Sequence, residues 1–151
     1  MGKQKPAVAA PAVDTVRPHV GERGEIALNL GDQELILRPT FEAIEGFEAV
    51  TGKGLLQLTR AALDGAMTLG ETAQIAAECV KAWGRATEKA SAAGVNAPRI
   101  AALILESPGG FNEALRTVAG MLSLASTGGY TSQGELKAGT TKTNGAPAGN
   151  P

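Results

Sequence analysis

Polar and apolar residues alternate along Glu25-Ile26-Ala27-Leu28-Asn29-Leu30, the period of two that marks a half-buried strand. Gly31-Asp32 is a turn pair, and Glu34-Leu35-Ile36-Leu37-Arg38 follows as a second strand. The pattern predicts a β-hairpin with Ile26, Leu28 and Leu30 on one side and Leu35 and Leu37 able to join them. Two strands alone are marginal in water, so that face must lie on helices.

Pro39 closes the second strand and Thr40 is placed to cap a helix in which Phe41, Ile44, Phe47 and Val50 recur at helical spacing until Gly52. After the loop Gly52-Lys53-Gly54, Leu55, Leu58 and Ala62, with Leu56 and Leu63 beside them, predict a short amphipathic helix that stops near Asp64-Gly65. Thr68-Leu69-Gly70-Glu71 has capping-box spacing, with the hydroxyl and the carboxylate each satisfying an amide of the first turn. The third helix, starting there, carries Ile75, Ala76, Cys79, Val80 and Trp83 on one face, has Gly84 as a point of fraying or bending, and ends by Gly94. Asn96 and Pro98 open a fourth helix with Ile100, Leu103 and Ile104, which Ser107-Pro108-Gly109-Gly110 breaks. A fifth keeps a regular stripe of Phe111, Leu115, Val118, Leu122 and Ala125, widened by Met121 and Leu124.

The ends lack such periodicity. Residues 1–21 hold Pro6, Pro11, Pro18 and many alanines, and residues 127–151 are Gly, Thr, Ser, Ala, Asn and Pro with few large apolar side chains. Such segments bury too little to offset ordering entropy, so disordered termini are expected around one domain at 22–126. The expected fold class is α+β, mostly α: an N-terminal β-hairpin packed on about five helices.

Composition narrows the function. The chain has 151 residues and a net charge of -1, and its Lys and Arg are scattered among Asp and Glu, which argues against the basic footprint of a nucleic-acid binder. Aromatic residues are only 3%, so the core must come from Leu, Ile, Val and Ala, with Phe41, Phe47, Trp83 and Phe111 as its few large pieces. The one cysteine, Cys79, cannot pair within the chain and lies in an apolar helical pattern, as expected of a buried thiol in a reducing cytosol. Pro6 and Pro11 break the only stretch that could serve as a signal-peptide core, and no apolar run approaches membrane-spanning length. A cytoplasmic protein with no membrane association is expected.

Candidate chemistry is sparse. The one histidine, His19, lies in the N-terminal head, whereas a catalytic base must be held on a rigid element beside its nucleophile. One His and one Cys cannot fill a zinc shell. Gly52-Lys53 ends like a phosphate loop, but Phe47 stands where that motif needs glycine and Gly54 where it needs Ser or Thr. Glu42, Glu45 and Glu48 read as the outer, solvated face of a helix. The expectation is a binding protein without enzyme activity or cofactor. Trp83, Met121 and Leu124 are the apolar residues off or at the ends of the main stripes, and so the first candidates for a partner contact.

The run Arg23-Gly24-Glu25-Ile26-Ala27-Leu28-Asn29-Leu30-Gly31, then Leu35-Ile36-Leu37-Arg38-Pro39-Thr40-Phe41, Ala43-Ile44-Glu45, Thr51-Gly52 and Leu55-Leu56, resembles the tail assembly chaperone family of long-tailed phages and gene transfer agents, in the branch named for the gene-transfer-agent tail tube protein. The resemblance spans about residues 23 to 83 in sequence and 95 to 125 by helical pattern. It implies a small helical protein that coats the tape measure protein, keeps its hydrophobic stretches soluble and helps recruit tail tube protein. In many such phages a ribosomal frameshift extends the chaperone, and a Gly-rich end after Thr127 would suit a tether. Alternatives from other classes are a structural tube or terminator subunit, itself a homo-oligomer, and a small helical adaptor.

Overall fold

The computed structural model describes residues 25–137. The expected head at 1–21 and the tail beyond 137 lie outside the described residues. Strands β1 (Ile26–Leu30) and β2 (Gln33–Leu37) form an antiparallel hairpin, followed among the described residues by helices α1 (Phe41–Thr51), α2 (Leu55–Leu63), α3 (Leu69–Thr87), α4 (Ala90–Ala93), α5 (Ala97–Glu106) and α6 (Gly110–Ser126). The register pairs Ile26 with Leu37, Leu28 with Leu35 and Leu30 with Gln33. Gly31 takes φ +70° in the turn, a left-handed conformation that costs glycine little and other residues more. The α+β, mostly helical class expected from the pattern is the one observed.

The helix ends follow local chemistry. Thr40 accepts a hydrogen bond from the Ala43 amide at 3.0 Å, and α1 stops at Gly52 with φ 73°. Thr68 and Glu71 complete both halves of the capping box, with bonds of 3.0 and 3.1 Å. The Asn96 side chain caps α5 through the Arg99 amide at 3.0 Å. Helix α2 has no cap from its own flank. Its first amide, on Leu55, donates to the Glu48 carboxylate of α1 at 2.8 Å, an anion at a helix N-terminus supplied across the corner. Glu48 is therefore a structural tie and not simply part of a solvated face.

Helix α3 is the axis of the fold. It packs against α1, α4, α5, α6 and β2, while β1 lies on α6 and α2 leans on α6. Buried positions run around most of its circumference: Thr72, Ala73, Ile75, Ala76, Ala77, Cys79, Val80, Ala82 and Gly84. The alanines explain this, because small side chains let several neighbours approach one helix closely. The hairpin presents Ile26, Leu28, Leu30 and Leu37 to the same core, joined by Phe47, Leu58, Ile100, Ile104, Val118 and Leu122.

Two expectations are corrected. The third helix does not run to Gly94: Glu88 turns left-handed at φ 60° and the chain folds back as the one-turn helix α4, which brings the about five helices expected to six among the described residues. Gly84 is not a bend, since α3 continues past it. Its bare Cα is what α4 packs on, and a Cβ there would lie 2.3 Å from the Ala93 amide nitrogen.

The domain also does not end at residue 126. Thr127, expected to open a flexible tail, is followed by a folded segment in which Tyr130 bridges Leu136 in antiparallel fashion and Tyr130 is buried. One aromatic and one leucine, spaced to meet across a turn, anchor an otherwise polar stretch that composition alone assigns to disorder.

Candidate interaction surface

Trp83, Met121 and Leu124, expected to meet a partner, do not form one surface. Met121 is fully buried, its sulfur 3.7 Å from the Cys79 thiol. Helix α6 is rotated from the expected stripe so that Ala114, Val118, Met121 and Leu122 face inward, while Phe111, Leu115 and Ala125 are only partly buried. Met121 therefore has no surface to offer a partner. Trp83 is half-buried, and its indole N–H donates to the Glu25 carboxylate at 3.2 Å, which ties α3 to the start of the hairpin. Leu124 is half-buried under the turn that follows α6, where its carbonyl accepts from the Gly129 amide at 2.8 Å. Both have intramolecular work.

The apolar residues left outside are different ones. Leu56 and Leu63 on α2 are 67% and 64% exposed, and Phe41 at the start of α1 is 58% exposed. Val50 and Leu105 are also exposed. In α2, Leu56, Arg60 and Leu63 stand at i, i+4 and i+7, which places them on one stripe. Leu58, Thr59 and Ala62 are buried on the other side. The Thr59 hydroxyl reaches Ser126 at 2.7 Å, so α2 is held on α6 with its leucine pair outward. A signal for this exists in the sequence: Leu55-Leu56 and Ala62-Leu63 give a short helix more apolar residues than one inward stripe can hold. Phe41 and Val50 share the spacing of Phe47 but lie at the helix ends, beyond the reach of the neighbours that cover Phe47.

A groove of about 460 Å³ opens beside Phe41, between the start of α1, the end of α3 and the segment after α6. Ala82 and Ala86 contribute apolar surface, and Arg38, Arg85 and Gln133 contribute polar groups. Arg38 is largely occupied, because its Nε donates to the Gln133 carbonyl at 2.9 Å and its Nη2 lies 3.5 Å from Glu135.

The titratable groups away from this groove are settled by their surroundings. The hydrogen bond from Lys53, and after it the Thr68 amide, holds the Glu71 carboxyl below its ordinary range. Burial pushes the Cys79 thiol up, with the nearby Glu78 charge adding to it, so the thiolate needed for reactivity is suppressed. Burial likewise raises the Tyr130 phenol. Among the described residues, no three His, Cys, Asp or Glu side chains are grouped to hold a metal ion, and no helix is long and apolar enough to cross a membrane. His19 lies outside the described residues. Among known proteins, no family model, curated protein or solved structure matches the chain.

Proposed function

We propose that the chain is a tail assembly chaperone of a long-tailed phage, prophage or gene transfer agent, acting in the bacterial cytoplasm, where it binds the tape measure protein and helps tail tube protein assemble around it. The sequence run from Arg23 to Leu56 supports the family resemblance, and one structural observation carries the binding role: Leu56 and Leu63 project from α2 into solvent while that helix is firmly seated on α6. A rigid pair of leucines seven residues apart suits the apolar stripe of a partner helix. Covering two leucines that are already one-third buried is worth about 1–2 kcal/mol each. That is weak for one contact. Along a long helical partner, many copies side by side make the coating collectively stable, and each remains removable when the tube replaces it.

The test is co-expression with the tape measure protein from the same phage or prophage region. The expected outcome is that tape measure protein moves from the pellet to the soluble fraction and co-elutes with the chaperone in several copies. If its solubility is unchanged and the two never co-elute, the proposal is wrong.

A further inference from the structure

The segment after α6 is built differently from the rest of the molecule. Its internal bonds are few and local: Thr131 donates to the Glu135 carbonyl at 2.8 Å, Gly134 to Thr131 at 2.9 Å and Lys137 to Gly129 at 2.9 Å. It is held to the body at two places: beside α6, where the Gly129 amide donates to the Leu124 carbonyl at 2.8 Å, and at a corner where the Phe41 amide donates to the Ser132 carbonyl at 2.9 Å and Arg38 reaches Gln133 and Glu135. Gly134, at φ +78°, sits against that corner so closely that a Cβ would stand 2.8 Å from Arg38 Cγ and 3.0 Å from the Thr40 nitrogen. Tyr130 is its deepest side chain, with Leu136 packed against the core beside it. The Tyr130 hydroxyl is buried and has no hydrogen-bond partner among the described residues, a penalty that release into water would remove. The hairpin and the helices through α6 also contact one another directly.

We infer that residues 129–137 form a detachable clasp, which opens as a unit from Arg38 and Phe41 while the hairpin and the helices stay folded. At the corner itself opening costs the body little, and the larger cost is withdrawal of Tyr130 and Leu136 from the core. The Phe41 amide belongs to the first turn of α1 and the Arg38 guanidinium is at the surface, so water can satisfy both. The clasp also supplies the Gln133 side of the groove beside Phe41.

The lone thiol makes this measurable. Cys79 is fully buried beside Tyr130, so it reacts with a disulfide reagent only after something moves. In the full chain, labelling by 5,5'-dithiobis(2-nitrobenzoic acid) in excess is expected to proceed through clasp opening, with a rate nearly independent of urea below the unfolding transition. Gly134→Ala, which crowds the closed corner, should accelerate it at least tenfold. Ile104→Val, which weakens the core shared by the closed and open forms, should leave it within about twofold. Amide exchange of Thr131, Gly134 and Lys137 should share one protection factor, lower than that of the α3 amides. Labelling that rises steeply with urea and accelerates in Ile104→Val by the full loss of global stability overturns the inference. So does protection of the three clasp amides equal to that of α3.

Discussion

Met121 and Leu63 are both large apolar residues on amphipathic helices, and their environments are opposite: Met121 is sealed against Cys79 and Leu63 faces water. Truncating Met121 removes packed methylenes and leaves a cavity, so Met121→Ala should cost about 2–5 kcal/mol in urea unfolding. Leu63→Ala should stay within about 0.5 kcal/mol, because nothing in the fold closes over that side chain. Comparable losses at the two positions would contradict the burial described. The pair Lys53 and Glu71 sets a pH dependence at the same scale. Since the folded carboxyl titrates below its ordinary value of 4.5, its contribution is complete above that value and is lost as pH falls through the lowered folded value. The Lys53 side chain is 38% exposed, which limits the effect to about 1 kcal/mol or less. Lys53→Met should lower stability at neutral pH by that amount, and the difference from the parent chain should vanish in acid; a difference that grows as pH falls would mean that the Glu71 carboxyl is raised and not lowered in the folded chain.

Among the elements, the contact between α3 and α4 separates two meanings of glycine. In an exposed helix interior, replacing glycine by alanine stabilises by about 1 kcal/mol through propensity. At Gly84 the added carbon meets backbone atoms, with the Ala92 carbonyl carbon at 2.7 Å, and backbone cannot rotate aside as a side chain can. Gly84→Ala should therefore destabilise by about 1–3 kcal/mol and detach α4. Thermal unfolding gives the sign, and amide exchange of residues 90–94 locates the damage. A rise in melting temperature would mean that α4 is not held against α3. The corner between α1 and α2 works by a different device. Glu48 caps a helix to which it does not belong, so the turn Gly52-Lys53-Gly54 needs no capping side chain of its own.

For the whole molecule, the outward stripe of α2 lies away from the core that α3 organises, so binding and stability should separate. Leu56→Asp with Leu63→Asp is expected to leave the melting temperature within a few degrees, since neither residue supports the core, and to reduce recovery of co-expressed tape measure protein at least tenfold. The magnitude follows from losing two apolar contacts of about 1–2 kcal/mol each and desolvating two charges. Retention of the complex by this double variant would place the contact elsewhere, and unfolding would show that the stripe is part of the core.

The hairpin, its turn and the starts of α1, α3 and α5 were legible in the sequence because each depends on neighbours a few positions away. Alternation along Ile26 to Leu30, a turn glycine, and Thr40, Thr68 and Asn96 at helix starts act locally. The six-helix count was not legible, since Ala-rich chain between Glu88 and Gly94 carries no strong periodicity, and its reversal depends on a bare Gly84 across the gap. The burial of Met121 escapes the pattern for a related reason. Helical spacing identifies an apolar face but cannot say whether a neighbour covers it, so Met121 and Leu56 look alike until α3 and α6 are in place. Tyr130 shows the same limit in a polar segment: composition suggests no structure, and only the three-dimensional proximity of Arg38, Phe41 and Cys79 gives that segment somewhere to bind. Local hydrogen bonding and periodicity are properties of the chain. Burial is a property of what the chain has been folded against, and it was decided by the tertiary structure alone.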